Sequence, residues 1–191
     1  MTEAIFGIVG VLVGSGISWF QTYWISNRTE KKNANYLAIR VFCILNKYAT
    51  DCSYVVSDDG LSCGQRNDEG CLEIQVKLPP VPNFPDDLDW KSINSALMYK
   101  ILSFPSYVEA GNMAIAGASE HSFAPDYEEI FEERKFQYSQ LGLTAFRLVE
   151  ELALTFSIKQ KIFDEDWNPI EYLENQLATI EKKREKRAQR M

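Results

Sequence analysis

The sequence contains one histidine, His121, in 191 residues. That scarcity excludes the chemistries that depend on imidazole. A di-iron bundle needs Glu-x-x-His on two helices, and a Ser-His or Cys-His nucleophile would have to use a histidine in the loop "EHSFAP". A lone loop histidine is an ordinary surface residue. Cysteine is sparse as well. Cys43, Cys52, Cys63 and Cys71 form no C-x-x-C pair, so neither a zinc site nor a disulfide framework follows, and reduced thiols are expected. A P-loop lysine motif, a G-x-G-x-x-G turn and a calcium loop are all missing. So is any internal repeat of solenoid length. No metal and no cofactor is implied.

Charge is missing from one long stretch. "AIFGIVGVLVGSGISWFQTYWI", Ala4 to Ile25, holds no ionised side chain. As a helix it rises about 33 Å, enough to cross a hydrocarbon core of about 30 Å. A cleaved secretory signal would begin with basic residues and end on a small-x-small site, and neither is present. Trp19, Phe20, Tyr23 and Trp24 suit a headgroup belt instead. Arg28, Lys31, Lys32 and Arg40 follow the stretch, and only the terminal amine precedes it. The positive-inside rule then predicts a single-pass membrane protein whose C-terminal body is cytoplasmic. Asn27-Arg28-Thr29 matches a glycosylation sequon but would lie on the cytoplasmic side.

Gly7, Gly10, Gly14, Ser18 and Gln21 share one face of that helix. Gly10 and Gly14 make a GxxxG match, which lets a second helix approach closely. The expected partners are therefore membrane lipid and either a protein partner or a second copy.

Glycine and proline are absent from Ile17 to Ser57. The anchor is thus expected to run straight into an amphipathic helix with Leu37, Val41, Ile44, Tyr48, Cys52 and Val55 on one face, stopped at Asp58-Asp59-Gly60. From 61 to 88 the pattern breaks, because Pro79, Pro80, Pro82 and Pro85 forbid a long helix. "CLEIQVKL" alternates like one strand of a short β-hairpin, and "LPPVPNFP" reads as an extended run across the helices. A helix is predicted from Trp90 to about Phe104, and a second is predicted to start at Pro105. The next should start with Pro125 in its first turn and bury Phe131, Tyr138, Leu141, Ala145, Leu148, Leu152 and Phe156. Asn168-Pro169 opens the last. The fold class is mainly α: a transmembrane helix (1–27), then a bundle of antiparallel helices (28–180) with a Pro-rich irregular insertion, then a basic tail (181–191).

Net charge is −7, which argues against nucleic acid as a partner. Glu181 to Met191 has six basic residues against two acidic ones. That tail reads first as a solvated helix end, and second as a patch for anionic headgroups. The carboxylates of "DYEEIFEERK" read as a helix start paired with Arg134 or Lys135, not as an acid/base site. "FPDDLDW" and "FDEDWNP" each set a Trp beside aspartates. They read first as helix caps, and second as a partner-binding face built from Asp86, Asp87, Trp90, Asp164, Asp166 and Trp167. The expected function is a membrane-tethered interaction protein, an adaptor or assembly subunit. The rivals are a membrane effector that self-associates through the glycine face, and a carboxylate enzyme of unrecognised type.

Overall fold

A computed structural model describes the backbone of residues 2–159 and 167–190, and the side chains of these other than 2–18 and 20. The described residues form a bundle of four α-helices. Helix α1 spans Thr2–Ser57. It is one unbroken rod of about 84 Å at 1.5 Å per residue, and the lack of glycine and proline from Ile17 to Ser57 favours its continuity there. Among the described residues no helix is long and apolar enough to cross a membrane. Most of the uncharged run, including Gly7, Gly10, Gly14, Ser18 and Phe20, has its side chains outside the described set.

The rod stops where expected. Gly60 takes φ +77°, and a Cβ there would also lie 2.6 Å from the Phe131 ring. Both the left-handed backbone and the close approach call for glycine.

Residues 58–94 then cross the length of the bundle. The expected strand and hairpin do not form: among the described residues the only pairing is an isolated bridge between Ser62 and Gln65. The backbone donors of "CLEIQVKL" are satisfied in other ways. Leu72 N donates to Pro125 O (2.9 Å) and Glu73 N to Gly60 O (2.9 Å). Gln75 N and Val76 N both donate to Asp58 Oδ2, at 3.1 and 3.0 Å. A carboxylate does the work of a partner strand. Val76, Leu78, Val81 and Phe84 pack against the core, so the proline run does lie extended over the helices.

A 3-10 turn, Trp90–Ser92, precedes helix α2, Ser95–Ser119. The helix expected from Trp90 starts later, because Asn94 caps it by accepting from Ala96 N at 2.7 Å. The break expected at Pro105 is absent, and the helix runs through it. A mid-helix proline costs about 3 kcal/mol. Ile101, Phe104 and Val108, fully buried around it, hold the turn by packing.

Helix α3, Glu128–Phe156, begins after Tyr127, so Pro125 lies ahead of it and not in its first turn. The expected stripe is buried from Phe131 to Leu152. Phe156 is partly buried against the core. Helix α4, Pro169–Ala188, opens on Pro169 behind Asn168, which accepts from Ile170 N (3.1 Å).

The partnerships fix the directions. Asp58 meets Arg134, Asn112 meets Tyr138, and Lys183 meets Glu128. Helix α3 is therefore antiparallel to the other three, which run parallel to one another. The expectation of alternating antiparallel neighbours fails for α1 and α2, because the long crossover returns the chain to its starting end. Gly142 on α3 marks a close crossing. A Cβ there would lie 2.7 Å from Leu173 Cδ1 on α4 and 3.0 Å from Cys52 Cβ on α1. Helix α1 continues through residue 27 and α4 through residue 180, so neither expected boundary coincides with a break in the chain.

Candidate functional site

Helix α1 stands clear of the bundle before Asn33. From Gln21 to Lys32 every residue but Asn27 is exposed, and the first buried residue is Ala34. On this projecting stem Trp19 and Tyr23 stack with ring centroids 6.0 Å apart. The Arg28 guanidinium lies 5.9 Å from the Trp24 ring centroid. Trp19, Tyr23 and Trp24 are 72%, 56% and 61% exposed, which is costly in water and ordinary in a headgroup layer. Gln21, Lys31 and Lys32 are exposed on the same stem.

The two acidic-Trp segments make different contacts. "FPDDLDW" is strapped to the near end of α1. Tyr36 Oη donates to Asp87 Oδ2 (3.4 Å) and Asn33 Nδ2 to Asp89 Oδ2 (3.3 Å). Asp89 Oδ1 accepts from Lys91 N (3.2 Å), and Trp90 sits edge-on to Phe84 with centroids 5.8 Å apart. Asp86 is exposed. In the second segment Asp164 and Asp166 lie outside the described residues. Trp167 packs on Tyr172 at 5.1 Å and forms one wall of a groove between α1, α3 and α4. The groove, about 710 Å³, is also lined by Phe42, Asn46 and Tyr54. Its charges are mixed, Glu150 and Glu174 with Arg147 and Lys159, so it selects no sign of ligand.

The basic tail is paired in part: Lys183, Arg184 and Arg187 face acids of α3, while Lys182, Lys186 and Arg190 are exposed as on a solvated end. Lys183 contacts Glu128 and lies 3.0 Å from Glu132 Oε2. Arg184 reaches Glu133 (2.6 Å), and Arg187 reaches Glu128 (2.8 Å) and Glu132 (3.1 Å). These acids are the helix start expected to pair with Arg134 or Lys135. Their partners come instead from α4. The Lys183 hydrogen bond holds the Glu128 carboxyl below its usual value, the reverse of what a general acid needs.

Arg134 goes elsewhere. Its Nη2 donates to Asp58 Oδ2 (3.2 Å) and to Val76 O (2.6 Å), and both side chains are buried. Burial pushes the guanidinium pKa down and the Asp58 charge opposes that. With Gly60 N on Asp58 Oδ1 (3.0 Å), this latch ties α1, the crossover and α3 together. Sequence reasoning missed it, although Phe131, Arg134, Tyr138 and Leu141 share one helical stripe.

His121 is exposed. Cys52 and Tyr48 are buried, and burial raises both pKa values, so the thiol stays protonated. Tyr138, pushed up to about 12 by burial, donates to Asn112 Oδ1 (2.8 Å). Among the described residues no three His, Cys, Asp or Glu side chains could hold a metal ion. No protein-family model, no curated protein and no solved structure matches the chain.

Proposed function

We propose that this chain is a membrane-tethered interaction protein, an adaptor or assembly subunit with its body in the cytoplasm. The observation that carries the reading is the stem of α1. It leaves the bundle as continuous helix, exposes an aromatic collar and then a basic one, and leads back into the uncharged run from Ala4 to Ile25. That order of apolar core, aromatic belt and cationic flank is what a bilayer selects along its normal. The interaction half of the reading is supported by the large apolar side chains that the body leaves exposed, Tyr54, Met113, Leu154 and Trp167 among them.

Alkaline washing of membranes tests the tether. The full chain is expected to stay in the pellet, and a chain lacking residues 1–27 to move to the supernatant. Release of the full chain by the wash would end the reading.

A further inference from the structure

Helix α4 is held more lightly than α2 or α3. It buries Pro169, Leu173 and Ile180, where α2 buries six residues and α3 thirteen. Ile170, Tyr172 and Leu177 are only partly buried. Its flank toward α1 and the crossover is open at both ends. The groove of about 710 Å³ lies between Ile170 and Glu174 on one side and Phe42 and Asn46 on the other. A second cavity, about 430 Å³, lies between Ile180 and the crossover residues Asp59 and Leu72. Side chains that border a void lose the dispersion contacts that close packing supplies. Much of what remains is a clamp of charges, Lys183, Arg184 and Arg187 against Glu128, Glu132 and Glu133. The three cations are 46%, 34% and 50% exposed. Ion pairs open to water are each worth little and weaken with salt. Between the clamp and the groove, Leu173 lies over Gly142, beside Cys52, which is fully buried.

We infer that α4 is a releasable cover: it lifts from α3 as one helix while α1, α2 and α3 stay packed, and uncovers a seat for a basic amphipathic helix of a partner. The other three helices are joined by contacts that α4 does not enter. Tyr48 of α1 packs edge-on to Phe104 of α2, with centroids 5.5 Å apart, and Asp58 of α1 holds Arg134 of α3. The element with the fewest buried apolar contacts is the one that opens first. What α4 leaves behind is an apolar floor, with Phe131 under Ile180, Gly142 under Leu173 and Leu143 beside Ile170. The carboxylates of Glu128, Glu132 and Glu133 border it. The seat thus accepts what α4 itself presents, apolar residues in helical steps followed by cations. The choice of a partner helix as occupant rests on the interaction reading; the lifting rests only on how the bundle is packed.

The test is thiol labelling of the full chain carrying Cys43→Ser, Cys63→Ser and Cys71→Ser, which leaves Cys52 as its sole thiol. A maleimide is expected to reach Cys52 at urea concentrations well below those that unfold the bundle, and about tenfold faster at high salt than at low. Glu132→Gln with Glu133→Gln should speed the labelling at low salt and flatten the salt response. A chain whose sole thiol is Ile101→Cys, at a fully buried position of α2, should stay unlabelled until the bundle unfolds. Hydrogen exchange on the unaltered chain gives the same comparison, with amides of 170–180 exchanging faster than those of 142–152. Joint labelling of the two thiols, or equal protection of α4 and α3, overturns the cover. For the seat, a fluorescent peptide of residues 169–188 should bind the chain weakened by Leu173→Ala. The same peptide with Lys183→Glu, Arg184→Glu and Arg187→Glu should not. Failure of both peptides on a chain whose Cys52 labels freely overturns the seat and leaves the cover. None of these readouts depends on whether the chain resists the alkaline wash, so the tether stands or falls separately.

Discussion

Arg134 is the side chain whose replacement should cost the bundle most. Its charge is buried against Asp58, and Asp58 also holds the backbone of Gly60, Gln75 and Val76. Removing one member of a buried pair strands the other, at about 3–5 kcal/mol. Arg134→Met should therefore lower the unfolding free energy of the full chain, measured by urea titration, by that amount, and Asp58→Asn in the same chain should recover part of the loss. Equal and additive losses would show that the two groups do not act together. Part of this was legible. Arg134 has no acidic residue three or four positions before it, since those places hold Phe131 and Ile130, so a local ion pair was already poorly placed. Its partner was not legible, because it comes from the far end of another helix.

At the scale of elements, the apolar periodicity of α1, α3 and α4 located those helices well, and the capping signals at Asp58-Asp59-Gly60 and Asn168-Pro169 marked real ends. Proline and strand signals failed where tertiary contacts outweighed local preference. Pro105 sits inside α2 because its neighbours are buried, and "CLEIQVKL" stays single because Asp58 supplies its acceptors. The basic tail was legible as a charge run, but its partners on α3 were not. They give the end of α4 a pH dependence. Glu128 lies below its usual 4.5, so its contribution is complete above pH 4.5 and is lost as pH falls through the lower folded value. Lys183 lies above its usual 10.5, so its contribution is complete below pH 10.5 and fades as pH rises through the raised value. NMR of the α4 backbone across pH should show residues 181–188 fraying at both extremes before the core loosens. A last turn that melts only together with the core would contradict this.

At the scale of the whole molecule, the bundle begins on α1 near Asn33, and Lys183 of the basic tail lies at the other end, around a pocket shared with Asp59. From Asn27 to Ser57 is about 45 Å of helix, several times the screening length of about 8 Å at physiological salt. The headgroup role considered for the basic tail thus conflicts with the tether reading. A fluorophore on exposed Cys63, with Cys43→Ser to prevent double labelling, is expected to escape a quencher carried on lipid headgroups. One placed at Tyr36 should be quenched. Equal quenching at both would mean that the bundle lies flat on the bilayer.

The unbroken course of α1 also makes orientation heritable along the chain. With neither glycine nor proline from Ile17 to Ser57, no joint separates the stem from the body. A roll of the N-terminal end by one residue position, about 100°, swings every surface of the bundle through the same angle. Whatever grips the first turns of this helix sets the compass bearing of the rest.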